Sequence, residues 1–198
     1  INTTSLVLDG DVHITTDVAT GTGTHATNND GTINIATAAN GVTKINAADT
    51  ASNTEALTIL SGSGAITLKS TIGVTKALDS LDINSTGSAA AAITVDQIGT
   101  YGGDDTANTA QAGVSGTTNI GNASTQSVDL NDAQFNFGGD VNITAAGDIT
   151  TDANIEIKTA GDLTITPGST SAFKYTDDLK IVGTATVSYT HLRAHETA

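Results

Sequence analysis

The chain has 198 residues, no cysteine, a formal net charge of −14 and a pI of about 4.2. The absence of cysteine excludes disulfides, thiolate metal sites and cysteine nucleophiles, and the acidic charge argues against nucleic acid as a partner. Hydrophobic residues make up 37% of the chain but aromatic residues only 3%, which favours a narrow interior of aliphatic layers. No run has the apolar length of a membrane-spanning helix, so we expect no membrane insertion of this segment.

The predicted elements are short strands in which apolar and polar residues alternate, so that the apolar side chains share one face. β-Branched residues dominate these runs, and each run is too short for an ordinary helix. In chain order the strands are predicted at Leu6–Leu8, Val12–Ile14, Ile33–Ile35, Leu57–Ile59, Ile66–Leu68, Leu81–Ile83, Ile93–Val95, Ile120, Val128–Leu130, Phe135–Phe137, Val141–Ile143, Ile149, Ile155–Ile157 and Leu163–Ile165.

Gly-Asp pairs precede several strands and predict tight turns, with the glycine at positive φ and the aspartate bonded to nearby backbone N–H groups. They occur at Gly10–Asp11, Gly139–Asp140, Gly147–Asp148 and Gly161–Asp162. Val141, Ile149, Ile155 and Leu163 follow one another at intervals of 8, 6 and 8 residues. Three such strands would close one coil, and stacked coils bury the inner face that a lone coil leaves exposed. We therefore predict an all-β solenoid of about 20–24 residues per coil.

One aliphatic anchor per coil is expected to recur along residues 1–187, which we predict to be a single solenoid fragment. The expected anchors are Ile14, Ile35, Ile59, Ile83, Ile120, Ile143, Ile165 and Val187. The long interval after Ile83 contains Gly99–Gly116, predicted to be an insertion that loops out near residues 99–116. An array of β-sandwiches with antiparallel strands is the structural alternative, and turns such as Asn40–Gly41 would suit its hairpins.

Residues 188–198 (SYTHLRAHETA) differ from the rest, since they hold the only arginine, Arg193, and two of the four histidines. The segment resembles a translated sequencing adapter of the kind found at the ends of metagenomic reading frames. We therefore predict that it is a non-native tail.

No catalytic, cofactor-binding or metal-binding residue is predicted. His191 and His195 are four residues apart, but Leu192 occupies the position where the zincin pattern needs glutamate. His13 and His25 are predicted to be solvated. The body of the chain has no arginine and its lysines are scattered in sequence, so the chain is not expected to be an enzyme.

Oxygen-rich loops allow weak Ca²⁺ binding at most, because neither a glycine-rich calcium array nor an EF-hand loop is present. These loops are Asn28–Asp30, Asp104–Asp105 and Asp177–Asp178. Thr58, Thr67, Thr94 and Thr164 are predicted to point outward, but asparagine and aspartate interrupt the pattern. That irregularity argues against a regular ice-binding array.

The run Gly62–Thr100 resembles the β-strand repeats of giant bacterial surface adhesins, which include filamentous-haemagglutinin-like proteins and autotransporter-type passengers. The shared features are a Gly-x-Ile-Thr-Leu strand at Gly64–Leu68, an Ile-Gly turn at Ile72–Gly73, a Leu-x-Ser-Leu-x-Ile strand at Leu78–Ile83 and a further strand at Ile93–Val95. The segment Gly10–Thr37 is similar in style.

The resemblance implies a right-handed parallel β-helix in a secreted or cell-surface bacterial protein that serves as a stalk or adhesive rod. The expected partners are a glycan or protein on a host or neighbouring cell and the flanking repeats of the same chain. A carbohydrate-active β-helix enzyme, such as a polysaccharide lyase or hydrolase, is the functional alternative.

Overall fold

The structure is a computed structural model. It describes residues 5–16, 31–35, 43–48, 54–85, 91–100, 110–152 and 154–183, and the backbone of 187–189 and 192–194. Within these residues every helix or strand element is a β-strand, and every pairing between strands is parallel. Parallel pairing of neighbouring strands is incompatible with the antiparallel sandwich alternative for the described part of the chain.

The strands form three sides, which we call sheets A, B and C. Sheet A has two three-stranded parts, which are A1 with β1 (Ser5–Leu8), β4 (Lys44–Ala47) and β7 (Thr71–Ile72), and A2 with β12 (Gln134–Phe137), β15 (Ile155–Thr159) and β18 (Leu179–Gly183). Sheet B contains β2 (Val12–Thr15), β5 (Ala56–Ser61), β8 (Ser80–Ser85), β10 (Thr118–Ile120), β13 (Val141–Thr144), β16 (Leu163–Thr166) and β19 (Val187–Tyr189). Sheet C contains β3 (Ile33–Ile35), β6 (Ile66–Leu68), β9 (Ala92–Val95), β11 (Ser127–Leu130), β14 (Ile149–Thr151), β17 (Phe173–Tyr175) and β20 (Leu192–Ala194).

The chain visits sheets A, B and C in the same order in every passage except one, where β9 of sheet C is followed by β10 of sheet B and only single bridges form on the side of sheet A. Each strand of sheet B or C pairs with the strand of the same sheet from the preceding and following passage, apart from the strands at either end. This rotation through three parallel sheets is compatible with a β-helix or solenoid.

The core consists of columns of apolar and mostly aliphatic side chains, because register partners in successive strands point inward at the same position. In sheet B the partners Ile59, Ile83, Ile120, Ile143 and Ile165 form one column, and each is at most 1% exposed. A second column in sheet C contains Ile66, Ile93, Val128, Ile149 and Phe173. Burying one such side chain stabilises the fold by about 1.5–3 kcal/mol, so the columns hold the stack together.

The expected anchor set is wrong at two positions. Ile14 pairs with Ile59 of the next strand in sheet B, whereas Ile35 lies in sheet C and pairs with Leu68. At the other end Val187 pairs with Leu163 and not with Ile165. Ile35 and Val187 each lie in a strand where apolar and polar residues alternate, but alternation alone cannot show which of the three sheets a strand joins or with which residue it pairs.

Sheet A is interrupted because two glycines turn the chain out of the extended conformation. Gly73 and Gly99 have φ values of +65° and +69°, and they directly follow Ile72 and Ile98. Single bridges from Ile72 to Ile98 and from Ile98 to Phe135 connect A1 with A2. The Ile-Gly turn expected at Ile72–Gly73 is thus confirmed, and a third glycine, Gly113, packs against both Gly73 and Gly99.

Both ends of the expected insertion lie against the stack. Thr100 and Gln111 form an antiparallel bridge, and Val114 is fully buried between its bridge partners Leu78 and Phe137. Residues 101–109 lie outside the described residues.

The backbone of the expected non-native tail also pairs with the stack. Tyr189 is the register partner of Ile165, and Leu192 is the partner of Phe173. An open sheet edge pairs readily with any extended segment, so the prediction that residues 188–198 are non-native stays a prediction.

Candidate functional site on the outward faces

The Gly-Asp turns connect each coil to the next through the aspartate carboxylates. Oδ1 of Asp11 accepts a hydrogen bond of 3.0 Å from the backbone N–H of Ala56, and Oδ1 of Asp148 accepts one of 2.9 Å from Ala172. These donors lie 45 and 24 positions along the chain. The aspartates were expected to bond within their own turns, but the structure shows that they bond across coils.

The glycines of these turns are needed mainly for close approach between coils. Positive φ was expected at each, yet only Gly10 has it, at +127°. A Cβ at Gly139 would clash with the carbonyl oxygen of Gly116, and one at Gly161 would clash with the carboxylate of Asp140. The positive-φ expectation is therefore wrong for Gly139, Gly147 and Gly161, where contact between backbones explains the glycine instead.

The outward side of sheet B is polar and carries no lysine or arginine on its described side chains. Register partners along it are His13, Thr58, Asp82, Asn119, Asn142 and Thr164. Nδ2 of Asn142 donates a hydrogen bond of 3.1 Å to Oδ1 of Asn119 one coil earlier. Amide and hydroxyl groups thus cover this face in mixed order, as the interrupted threonine pattern predicted, and His13 is exposed as expected.

Asp82 and Asp96 are two carboxylates whose pKa values are shifted by their surroundings. Burial raises the pKa of Asp82 above its ordinary value of 3.8, while a hydrogen bond from Asn84 and the charge of His13 act in the opposite direction. Burial likewise raises the pKa of Asp96; Asp132 and Asp129 add to this effect, and Asn131 and Lys69 oppose it. Asp82 lies in β8 of sheet B, whereas Asp96 follows β9 of sheet C.

The outward side of sheet A carries four of the six lysines, which are Lys44, Lys76, Lys158 and Lys180. Lys44 lies in β4 and is exposed, and Lys76 follows β7 and is half-buried. Lys158 and Lys180 lie in β15 and β18, where Lys180 forms an ion pair of 3.1 Å with Glu156. These lysines looked scattered in sequence, but the fold brings them to one side.

A groove of about 590 Å³ lies on the outward side of A1. Lys44 and Lys76 line it together with the apolar side chain of Val7 and with Asn46. Oδ1 of Asn46 accepts hydrogen bonds of 2.9 Å and 3.3 Å from the backbone N–H groups of Thr75 and Lys76. Asn46 therefore fixes the segment that carries Lys76 against β4.

A second groove, of about 400 Å³, lies on the outward side of A2. Lys158, Asn136 and Phe137 line it, as does Ala110 at the end of the expected insertion. The two grooves therefore occupy the same side of the stack, separated by the layer in which sheet A is interrupted.

Asp177 and Asp178 are exposed in the turn before β18. Asn28–Asp30, Asp104–Asp105, His25, His191 and His195 lie outside the described residues. In the described ranges no three histidine, aspartate or glutamate side chains converge in a way that would hold a metal ion.

No helix in the described part of the chain has the length and hydropathy needed to span a bilayer. Comparison with protein-family models, curated proteins and solved structures finds no match to this chain.

Proposed function

We propose that the chain is a segment of a right-handed parallel β-solenoid from a secreted or cell-surface bacterial adhesin, in which it serves as a stalk and presents loops for adhesion. The observation that carries the proposal is the repeated return of the chain to three parallel sheets in one order, with like side chains in register. From Thr118 onward the sheet B partners lie 22 to 24 positions apart, as at positions 118, 141, 163 and 187. That interval suits one coil of three strands.

The resemblance to adhesin repeats supports the proposal because its motifs coincide with structural elements. Gly64–Leu68 contains β6, Ile72–Gly73 forms the turn at the interrupted layer, and Leu78–Ile83 leads into β8. A stalk needs length, and each added coil extends a stack by about 4.8 Å. The outward residues of sheets B and C are mostly amides, hydroxyls and carboxylates, which suits a solvated surface.

Flanking repeats of the same chain are the natural partners at both ends of the stack. At one end of the stack, β2 and β3 have a neighbour on one side only. At the other end, β16 and β17 are covered only by β19 and β20, which lie mostly in the expected non-native tail. An open edge of this kind favours pairing with another strand, and a further coil would supply one.

The stacking is tested with paired cysteines, because the chain has no cysteine of its own. Asn119 and Asn142 are register partners in adjacent strands, whereas Thr164 lies one strand further along. We expect the double variant Asn119→Cys/Asn142→Cys to form a disulfide on mild oxidation. The matched variant Asn119→Cys/Thr164→Cys should not, because its Cα atoms would be roughly 9.6 Å apart, beyond disulfide reach.

The adhesive role is tested with beads coated with the purified chain and exposed to glycan-bearing and protease-treated bacterial or host cells. Retention of coated beads above the level of beads coated with an acidic control protein is expected. Cross-linking of both cysteine pairs alike would refute the stacking, and bead retention at the control level would refute the adhesive role. An experimental density map would give the winding sense of the coils. A left-handed coil would contradict the right-handed solenoid proposed here.

A further inference from the structure

Positive charge is concentrated on the outward side of sheet A. The chain carries a net charge of −14, yet four of its six lysines lie on this side. Sheet B has none among its described strands. Sheet C carries Lys69 and Lys174, and Lys174 forms an ion pair of 2.5 Å with Asp148. On sheet A, Lys180 forms an ion pair of this kind with Glu156. An anionic ligand would thus approach sheet A with less repulsion than the other two sides.

The groove on A1 combines two cations with polar and apolar walls. Lys44 and Lys76 line it together, and the hydroxyl-bearing residues Ser5 and Thr43 lie beside them. Val7 is 55% exposed, although large apolar side chains elsewhere in the described chain are covered. The hydrogen bonds from Thr75 and Lys76 to Asn46 hold one wall in place before any ligand arrives.

This combination matches a sugar acid better than a simple anion. A uronate unit presents one carboxylate, several hydroxyls and an apolar C–H face. Phosphate and sulfate have no apolar face that could pack against Val7. A volume of about 590 Å³ lies within the usual range of small-ligand sites. Lysine recognises a carboxylate as a point charge and does not demand a fixed bidentate geometry.

The second groove favours a polymeric ligand over a single sugar unit. It lies on the same side of the stack, at A2, and Lys158 lines it. An extended chain that follows the long direction of the stack would meet both grooves in succession. A polynucleotide fits less well, because Phe137, the aromatic residue that lines the second groove, is only 2% exposed and offers no platform on which a base could stack.

We propose that the outward side of sheet A binds an acidic polysaccharide, with a uronate unit seated between Lys44 and Lys76 and the chain continuing toward Lys158. The proposal rests on the adhesive function proposed above and names the ligand class and the face that engages it.

Binding to a galacturonate oligosaccharide is measured by calorimetry or NMR titration with the full chain. The methyl ester of the same oligosaccharide is the neutral probe, and a single-stranded oligodeoxynucleotide is the alternative polyanion. We expect salt-sensitive binding of the free acid and little binding of the ester. The double variant Lys44→Gln/Lys76→Gln should bind about tenfold more weakly, since it removes both cations of the groove.

Lys69→Gln is the matched control, because Lys69 is exposed after β6 on sheet C, away from both grooves. Affinity in this variant should stay close to that of the parent chain. Equal weakening in Lys69→Gln would assign the effect to net charge and overturn the site. Absence of binding, equal binding of the ester, or preference for the oligodeoxynucleotide would overturn the ligand class.

The stability of each variant is checked by its unfolding midpoint, so that loss of binding is not mistaken for loss of fold. The cysteine-pair experiment reads the stacking without any ligand. A stack that forms normally but binds no galacturonate would therefore refute this inference and leave the solenoid intact.

Discussion

Oδ1 of Asp140 accepts a hydrogen bond of 2.9 Å from the backbone N–H of Asp162, the aspartate of the next Gly-Asp turn. The two residues are 22 positions apart and occupy equivalent places in successive coils. The same relation joins Asp11 to Ala56 and Asp148 to Ala172. A side chain that looks like a local turn former therefore helps to set the register between coils.

Removing the acceptor at Asp140 is expected to loosen the junction between β13 and β16. We expect Asp140→Ala to lower the free energy of unfolding by about 1 kcal/mol, the usual net value of one hydrogen bond. Asp140→Asn should cost less, because its carbonyl oxygen still accepts the bond. Both variants remove one negative charge, so the difference between their urea midpoints isolates the acceptor. Identical midpoints for the two variants would show that the bond contributes nothing.

Replacing either of two buried threonines with valine is expected to stabilise the fold. The hydroxyl oxygens of Thr118 and Thr151 are buried and have no hydrogen-bond partner among the described residues. Thr118 lies in an inward column between Leu81 and Val141, where every other described partner is aliphatic. Thr118→Val and Thr151→Val should each raise the free energy of unfolding by about 1–2 kcal/mol, because an unsatisfied buried hydroxyl is replaced by a methyl group.

Thr159 is the matched control for these valine substitutions. It is as buried as Thr151, at 3% exposure, but its hydroxyl donates a hydrogen bond of 2.9 Å to the carbonyl oxygen of Gly139. Thr159→Val should therefore destabilise the fold. If all three variants shift the thermal midpoint in the same direction, the hydrogen bonding assigned to the three hydroxyls is wrong.

Gly113 is expected to tolerate no side chain. A Cβ there would clash with the backbone nitrogen of Gly99 and would lie 2.6 Å from the carbonyl oxygen of Ile72. Both atoms are backbone, so neither can move without shifting a coil. We expect Gly113→Ala to lower the free energy of unfolding by about 2–4 kcal/mol.

The control for Gly113 is Gly31, where a Cβ would meet only the side chain of Thr16, at 3.6 Å. Gly31→Ala should leave the chemical-denaturation midpoint almost unchanged. A small effect at Gly113 would mean that the glycine contact between the turns at residues 73, 99 and 113 is dispensable.

Asp96 is expected to make stability depend on pH in an unusual direction. Burial holds its pKa above the ordinary value of 3.8, so the folded state binds a proton more tightly than the unfolded chain does. Relative to Asp96→Asn, the parent chain should therefore gain stability as pH falls through the folded-state pKa toward 3.8. At neutral pH the variant should be the more stable protein, and its amide oxygen can still accept the hydrogen bond from Asn131.

Urea midpoints of the parent and Asp96→Asn across the acidic range measure this difference. Asp177→Asn removes the same charge from an exposed turn and reports the effect of charge without a burial penalty. A difference between parent and Asp96→Asn that is constant with pH would contradict the assignment.

The strands and their inward residues were predictable because alternation of apolar and polar residues is a local signal. Val141–Ile143, Ile155–Ile157 and Leu163–Ile165 needed only period two and a preceding turn residue. The assignment of strands to sheets was harder, as Ile35 shows, because any inward isoleucine looks alike until its partner is known.

The lysine-bearing face could not be predicted before the register was known. Lys44, Lys158 and Lys180 each neighbour an isoleucine of sheet A, namely Ile45, Ile157 and Ile181. That proximity becomes meaningful only once those isoleucines are known to line one side. Thr118 escaped prediction for the opposite reason, since a threonine at an inward position reads locally as an outward one.

The interruption of sheet A has a mechanical consequence. Sheets B and C run as unbroken hydrogen-bonded ladders through all their strands, whereas A1 and A2 meet through single bridges at Ile98 and Val114. Backbone hydrogen bonds nevertheless cross this layer, for example from Gly99 to Ile72 and from Gly138 to Val114, so a load on the side of sheet A is carried there by turns and not by extended strands. The layer therefore joins the two parts of sheet A without opening that side of the stack, and the two lysine grooves lie on either side of it.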